Sequence, residues 1–129
     1  MKTIRLLWMK SAWGTTIPWP PRWPIWSTRI FERLLRSRGQ STGQVLWVDA
    51  RRALLVEWGP LGPGVRWDQS RANLREQVPS DFVGTAVITG FIATDTHGLQ
   101  TTLGRNGSDF SAAIFAALFL PAAWIAFAY

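Results

Sequence analysis

Thr101-Thr102-Leu103-Gly104-Arg105-Asn106-Gly107-Ser108-Asp109-Phe110-Ser111-Ala112-Ala113 joins a glycine-rich turn, which carries an arginine, directly to an alanine-rich helix. Backbone N–H groups at a helix N-terminus project outward with partial positive charge. A carboxylate or phosphate placed there gains hydrogen bonds and dipole attraction together. Arg105 adds a two-pronged partner for such an anion. The same residues admit a purely structural reading, in which Ser108 or Asp109 caps the helix and the glycines permit the turn. Upstream lie the apolar run 83–93, the turn residues Asp95, Thr96, His97 and Gly98, and the short run 99–103. The predicted order is strand, turn, strand, anion-binding turn, helix.

Working outward, Trp26, Ile30, Phe31, Leu34 and Leu35 recur at helical spacing, and Gly39 supplies a stop. Arg33, Arg36 and Arg38 favour the negative end of that helix dipole. Strands are predicted at 45–48 and 53–58, a surface loop at 59–64, and a short helix at 68–78 with Asp68 or Ser70 as its cap. Short, nearly continuous apolar runs that alternate with helices predict an α/β fold, a mixed or parallel sheet with helices on both faces.

Thr89-Gly90-Phe91-Ile92-Ala93, followed by the run 101–113, resembles the substrate-binding segment of aspartokinases, particularly those fused to homoserine dehydrogenase. Trp26-Ser27-Thr28-Arg29-Ile30-Phe31 through Gly39 is similar to that family's helix after its Gly-Glu-x-x-Ser motif. Trp47-Val48-Asp49-Ala50-Arg51 resembles the strand and acidic turn that follow, so the likeness covers about residues 25–119. The resemblance implies a fragment of an amino acid kinase (carbamate kinase-like) fold. It implies transfer of the γ-phosphoryl group of ATP, with Mg2+, to the side-chain carboxylate of L-aspartate, giving 4-phospho-L-aspartate in lysine, threonine and methionine biosynthesis. A cytoplasmic setting and an oligomeric intact enzyme come with it. On that likeness Arg105 pairs with an aspartate carboxylate, and Asn106, Gly107 and Ser108 complete the grip. Asp109 orients the amino end, and Phe91 lines the pocket. A phenylalanine ending an apolar strand also reads as core.

The chain departs from the family at several places. The opening Lys-Phe-Gly-Gly strand has no counterpart, since the only lysines are Lys2 and Lys10. No Thr-Asp-x-Asp-Gly segment follows Phe119, and Trp23 and Pro24 stand where Gly-Glu is expected. The expectation is a chain that keeps much of the aspartate pocket, lacks the machinery for ATP and is inactive alone.

The 129 residues suffice for one modest core. The net charge of +6 is an N-terminal property: residues 1–41 hold eight Lys or Arg against Glu32, whereas residues 42–129 hold six against seven acids. Several of those arginines fall on the predicted helix and read as a solvated face, so no nucleic-acid partner is expected. Without cysteine and with His97 as the single histidine, a zinc site is excluded, and a turn histidine reads as solvated. In residues 1–24, Trp8, Trp13, Trp19 and Trp23 interleave with Pro18, Pro20, Pro21 and Pro24, and no helical or strand period survives. This unassigned leader is open to reading as a polyproline-type recognition segment, a stacking platform for single strands, a poorly ordered leader, or translation from a shifted frame or misassigned start. It lacks the apolar core and cleavage site of a signal peptide.

Residues 110–129 are 20 residues without a charge, about the length that spans a bilayer. Two readings remain open. In one, 110–119 is the kinase helix beneath the substrate turn and 120–129 a divergent apolar tail. In the other the chain is a small single-span membrane-associated protein without catalytic activity, kinked at Pro121 and anchored by Trp124 and Tyr129.

Overall fold

A computed structural model describes residues 4–9, 23–39, 43–104, 107–119 and 123–128. The elements in chain order are β1 (Ile4–Met9), α1 (Trp23–Arg38), β2 (Gln44–Val48), α2 (Ala50–Ala53), β3 (Leu55–Gly59), β4 (Gly62–Val65), α3 (Trp67–Gln77), β5 (Gly84–Ile88), β6 (Ile92–Asp95), β7 (Gln100–Thr102), α4 (Gly107–Phe119) and β8 (Ala123–Ala128). They form two four-stranded sheets, β2-β5-β1-β8 and β4-β3-β6-β7. The first is parallel throughout. The second is mixed, with β3 parallel to β6 and antiparallel to β4, and β6 antiparallel to β7.

Every residue of β5 is buried, which is why its sequence carries no charge and shows no polar alternation, Thr85 being its one polar side chain. Its first residue must be glycine. Gly84 sits at φ +153°, and a Cβ there would stand 2.0 Å from the Gln44 carbonyl oxygen, so any side chain would separate β5 from β2. Paired residues of neighbouring strands share a face, and the pairs Leu46↔Ala86 and Val48↔Ile88 point to the core, together with Leu74, Val78, Ile92, Leu103, Ile114, Phe115 and Leu118. Trp47 turns to the other face and meets α1, where its Nε1–H donates to Thr28 Oγ1 at 2.9 Å. Helices therefore cover both faces, as the sequence predicts.

Several local expectations are corrected. The single strand at 83–93 is two strands, and the chain leaves one sheet for the other at Thr89, Gly90 and Phe91. The loop at 59–64 is a tight hairpin in which Gly59 pairs with Gly62; Pro60 sets the first corner and Gly62, at φ +107°, turns the chain back. The strand at 53–58 begins only at Leu55, because Asp49 caps a one-turn helix over Ala50–Ala53 by accepting from the Arg51 N–H at 3.0 Å. Neither Asp68 nor Ser70 caps α3. That helix starts at Trp67 behind Arg66, and Ser70 is fully buried, its hydroxyl accepting from Leu55 N–H at 3.0 Å and facing Leu55 C=O at 3.3 Å.

Helix α1 ends as expected at Gly39, φ +59°. Its apolar residues are not all on the buried side, however. Trp26, Ile30 and Leu34 are exposed, and the inward positions go to Thr28 and Glu32. Both have partners there: Thr28 Oγ1 donates to Pro24 C=O at 2.6 Å, and Glu32 pairs with Arg36 at 2.8 Å.

The chain ends also join the sheet. Ile4–Met9, within the leader for which no strand was expected, lies between β5 and β8 and pairs with Ala123–Ala128 over its whole length. The leader's Pro/Trp-rich remainder, 10–22, is outside the described residues. The uncharged stretch 110–129 is divided between α4 and β8, and among the described residues no helix is long and apolar enough to cross a membrane. The single-span reading is thereby set aside.

Candidate functional site

Phe91 is the one non-glycine residue at positive φ among those described, at φ +73°. A bulky side chain rarely adopts that conformation, and it persists only where surrounding contacts fix it. Three contacts do so here. The Phe91 N–H donates to Ser111 Oγ at 2.9 Å, and its C=O accepts from Leu103 N–H at 2.9 Å. Its ring lies against Gly107, where an added Cβ would come within 2.8 Å of Cδ2. Ser111 is fully buried and donates to Gly107 C=O at 2.6 Å, and Gly107 N–H donates to Gly104 C=O at 3.0 Å. The start of α4 is thus held just beyond the C-terminal end of β5. Ligands of parallel sheets gather at the carboxyl ends of the strands, and the first turn of a helix there offers N–H groups that have no partner within the helix.

The adjacent C-terminal end of β2 is tied in by buried polar groups. Thr89, fully buried, accepts from Ala50 N–H at 2.7 Å and donates its own N–H to Val48 C=O at 3.2 Å. Asp49 receives Arg51 through Nε at 3.0 Å and Nη2 at 2.7 Å, and these bonds hold the Arg51 guanidinium pKa above its ordinary value. Gln77 of α3 bridges the Asp49 backbone, accepting from its N–H at 3.1 Å and donating to its C=O at 3.3 Å. Beside this corner a cleft of about 600 Å³ is lined by Arg29, Glu32, Trp47, Asp49, Arg52 and Glu76 among others. Arg29 stacks on the Trp47 ring at 3.6 Å, so most of the cleft's charge is already engaged within the protein.

Residues 24–125 match the amino acid kinase family. The chain belongs to the amino acid kinase family. Within that family it is similar to aspartokinases. The chloroplastic bifunctional aspartokinase/homoserine dehydrogenase of Daucus carota is 37% identical over 97 residues, 73% of this chain and 10% of that protein. Lysine-sensitive aspartokinase 3 of Escherichia coli (strain K12) is 33% identical over 94 residues, 71% of this chain and 20% of that protein. The chain therefore spans a tenth to a fifth of the length of these relatives. A solved structure of E. coli aspartokinase III in complex with lysine and aspartate superposes with a TM-score of 0.65 at 28% identity, covering 81% of this chain and 23% of that one. The same enzyme with aspartate and ADP gives 0.56 at 27% identity, covering 79% and 23%.

On this amino acid kinase scaffold the residues singled out from sequence fall as follows. Phe91 and Gly107 are in contact. Phe91 is 37% exposed, so it is not the core residue that a strand-ending phenylalanine suggests. Asp109 lies exposed in the first turn of α4. Ser108 follows Gly107 in that turn, but its side chain, like Arg105 and Asn106 entirely, lies outside the described residues. His97 is exposed in the β6–β7 turn. Sequence reading passed over Ser111 and Thr89. The available signal was a hydroxyl within an otherwise apolar helix face, and another just after the apolar end, Ala86–Ile88, of a buried strand.

Proposed function

We propose that residues 91 and 103–111 form the aspartate-binding part of an aspartokinase catalytic domain. The observation that carries this reading is the clamped Phe91, which fixes the start of α4 at the carboxyl end of β5 in a segment shared with aspartokinases. In this reading Arg105 pairs bidentately with a carboxylate of L-aspartate, and Asn106, Gly107 and Ser108 supply further donors at the positive end of the helix. Asp109 faces the substrate ammonium. Phe91 walls the pocket and excludes water beside the ion pair, which strengthens it.

The intact enzyme of this kind transfers phosphoryl from ATP with Mg2+, and such catalysis rests on cationic groups around the phosphates. The described residues do not fit that half of the reaction. No group of three or more His, Cys, Asp or Glu among them could hold a metal ion. Phosphoryl transfer is accordingly not assigned to the described residues, and because these 129 residues hold no counterpart of the family's Lys-Phe-Gly-Gly and Thr-Asp-x-Asp-Gly segments, the proposal is aspartate binding without turnover by the chain alone. A cytoplasmic setting and oligomerisation of the intact enzyme belong to the same reading.

Calorimetric titration with L-aspartate tests it. The expected result is saturable binding at millimolar ligand, lost in Arg105→Ala by at least tenfold, as removal of a charged hydrogen-bond partner costs about 1.5–3 kcal/mol. No saturable heat from the folded wild-type chain, or unchanged affinity in Arg105→Ala, refutes it.

A further inference from the structure

We propose that Ser111 is a positioning residue: its buried hydroxyl locks Phe91 in its left-handed conformation and thereby fixes Leu103 and the Gly107 start of α4, which flank the proposed carboxylate-binding residues. The inference rests on the aspartate-binding reading for its ligand, but not for its mechanics.

The case begins with how much one hydroxyl can do. A serine offers one proton and two lone pairs. Ser111 spends the proton on Gly107 C=O, 2.6 Å away, and accepts the Phe91 N–H at 2.9 Å. With no exposed surface it has no water to substitute for either bond. A serine that bonds back four residues within its own helix normally bends the helix and gains little. Here the same proton fixes the carbonyl of the first helical residue, and the lone pair reaches another element.

The second tie closes the arrangement. Phe91 C=O accepts from Leu103 N–H at 2.9 Å, so the two backbone groups of one strained residue hold opposite ends of the segment 103–111. Between those ends lie the turn and the start of α4. Gly107 must remain without a side chain for the Phe91 ring to fit. Removing the Ser111 hydroxyl frees the Phe91 amide and relaxes φ toward the negative region favoured by non-glycine residues. Leu103 and the start of α4 then lose their common anchor, and a ligand held between them must bear the cost of ordering them.

A matched control exists in the fold. Ser70 is equally buried and makes the analogous two contacts to Leu55, on α3 and β3 rather than at the turn. Loss of either hydroxyl destabilises the fold, whereas only Ser111 is tied to Phe91. The experiment compares wild type, Ser111→Ala and Ser70→Ala by amide hydrogen exchange and by L-aspartate titration, under conditions where all three are folded. Expected for Ser111→Ala are at least tenfold faster exchange at the Phe91 and Leu103 amides and an affinity for L-aspartate about tenfold weaker, with both unchanged in Ser70→Ala. Ser111→Cys keeps the volume without a strong hydroxyl and reads the same way should Ser111→Ala fail to fold. Unchanged exchange at Phe91 and Leu103, or equal effects in the two serine variants, overturns the inference. If wild type binds no aspartate yet Ser111→Ala still accelerates exchange at those amides, the aspartate reading falls and the positioning role stands.

Discussion

Alanine at position 107 should change the sign of its effect according to what occupies position 91. Gly107 is the first residue of α4 and is not at positive φ, so a methyl group there is compatible with the backbone. On propensity alone Gly→Ala in a helix gains up to about 1 kcal/mol, less at the first turn. Against this, the new Cβ would lie 2.8 Å from Phe91 Cδ2 and 3.1 Å from Leu103 Cβ. The Phe91 ring cannot swing aside freely, because its backbone is bound at both N–H and C=O. Overpacking of this kind costs about 1–3 kcal/mol. Gly107→Ala should therefore destabilise the wild-type chain by about 1–2 kcal/mol, the overpacking less the propensity gain. In a Phe91→Ala background the ring clash disappears and only the 3.1 Å approach to Leu103 Cβ remains, which a shift of a few tenths of an ångström into the vacated space relieves, so the same substitution should stabilise by about 0.5 kcal/mol. The resulting coupling of about 2 kcal/mol is large for a pair of residues in contact but within the usual range. Urea unfolding followed by tryptophan fluorescence would measure all four corners of the cycle. Stabilisation by Gly107→Ala in both backgrounds would refute the close fit of Phe91 on the helix start, and with it the account of how the turn is held.

Other consequences follow from individual contacts. Thr89→Val keeps the shape and removes the acceptor of the buried Ala50 N–H, so unfolding free energy should fall by about 1–3 kcal/mol in urea titration. Gly84→Ala places a methyl group against the Gln44 backbone, which cannot rotate away, and should leave no cooperative unfolding transition or cost more than about 3 kcal/mol. Leu61→Asn at the fully exposed tip of the β3–β4 hairpin should change stability by less than about 0.5 kcal/mol, and a larger drop would show that the tip is packed in solution.

The sequence by itself determined the fold class, the helix stop at Gly39 and the likeness to aspartokinases. Apolar period, glycine placement and the 101–113 run are local signals, and local signals survive in one dimension. It did not show that the apolar run 83–93 breaks between two sheets, because a buried strand and a strand leaving the sheet share the same composition. Nor did it show which side of α1 faces inward: Thr28 meets Trp47 of β2, whose Nε1–H it accepts, and the Glu32–Arg36 pair is anchored to the same strand by Arg36 donating to Val45 C=O, contacts that exist only after folding. The uncharged stretch 110–129 is long enough for a bilayer on length alone, and only the pairing of Ala123–Ala128 with Ile4–Met9, residues from opposite ends of the chain, assigns its last part to a sheet. Phe91 is the clearest case. Its identity suggested either core or pocket wall, and its exposure speaks against core; its left-handed backbone is held by Leu103 and Ser111, whose two hydrogen bonds join residues that are neighbours only after folding.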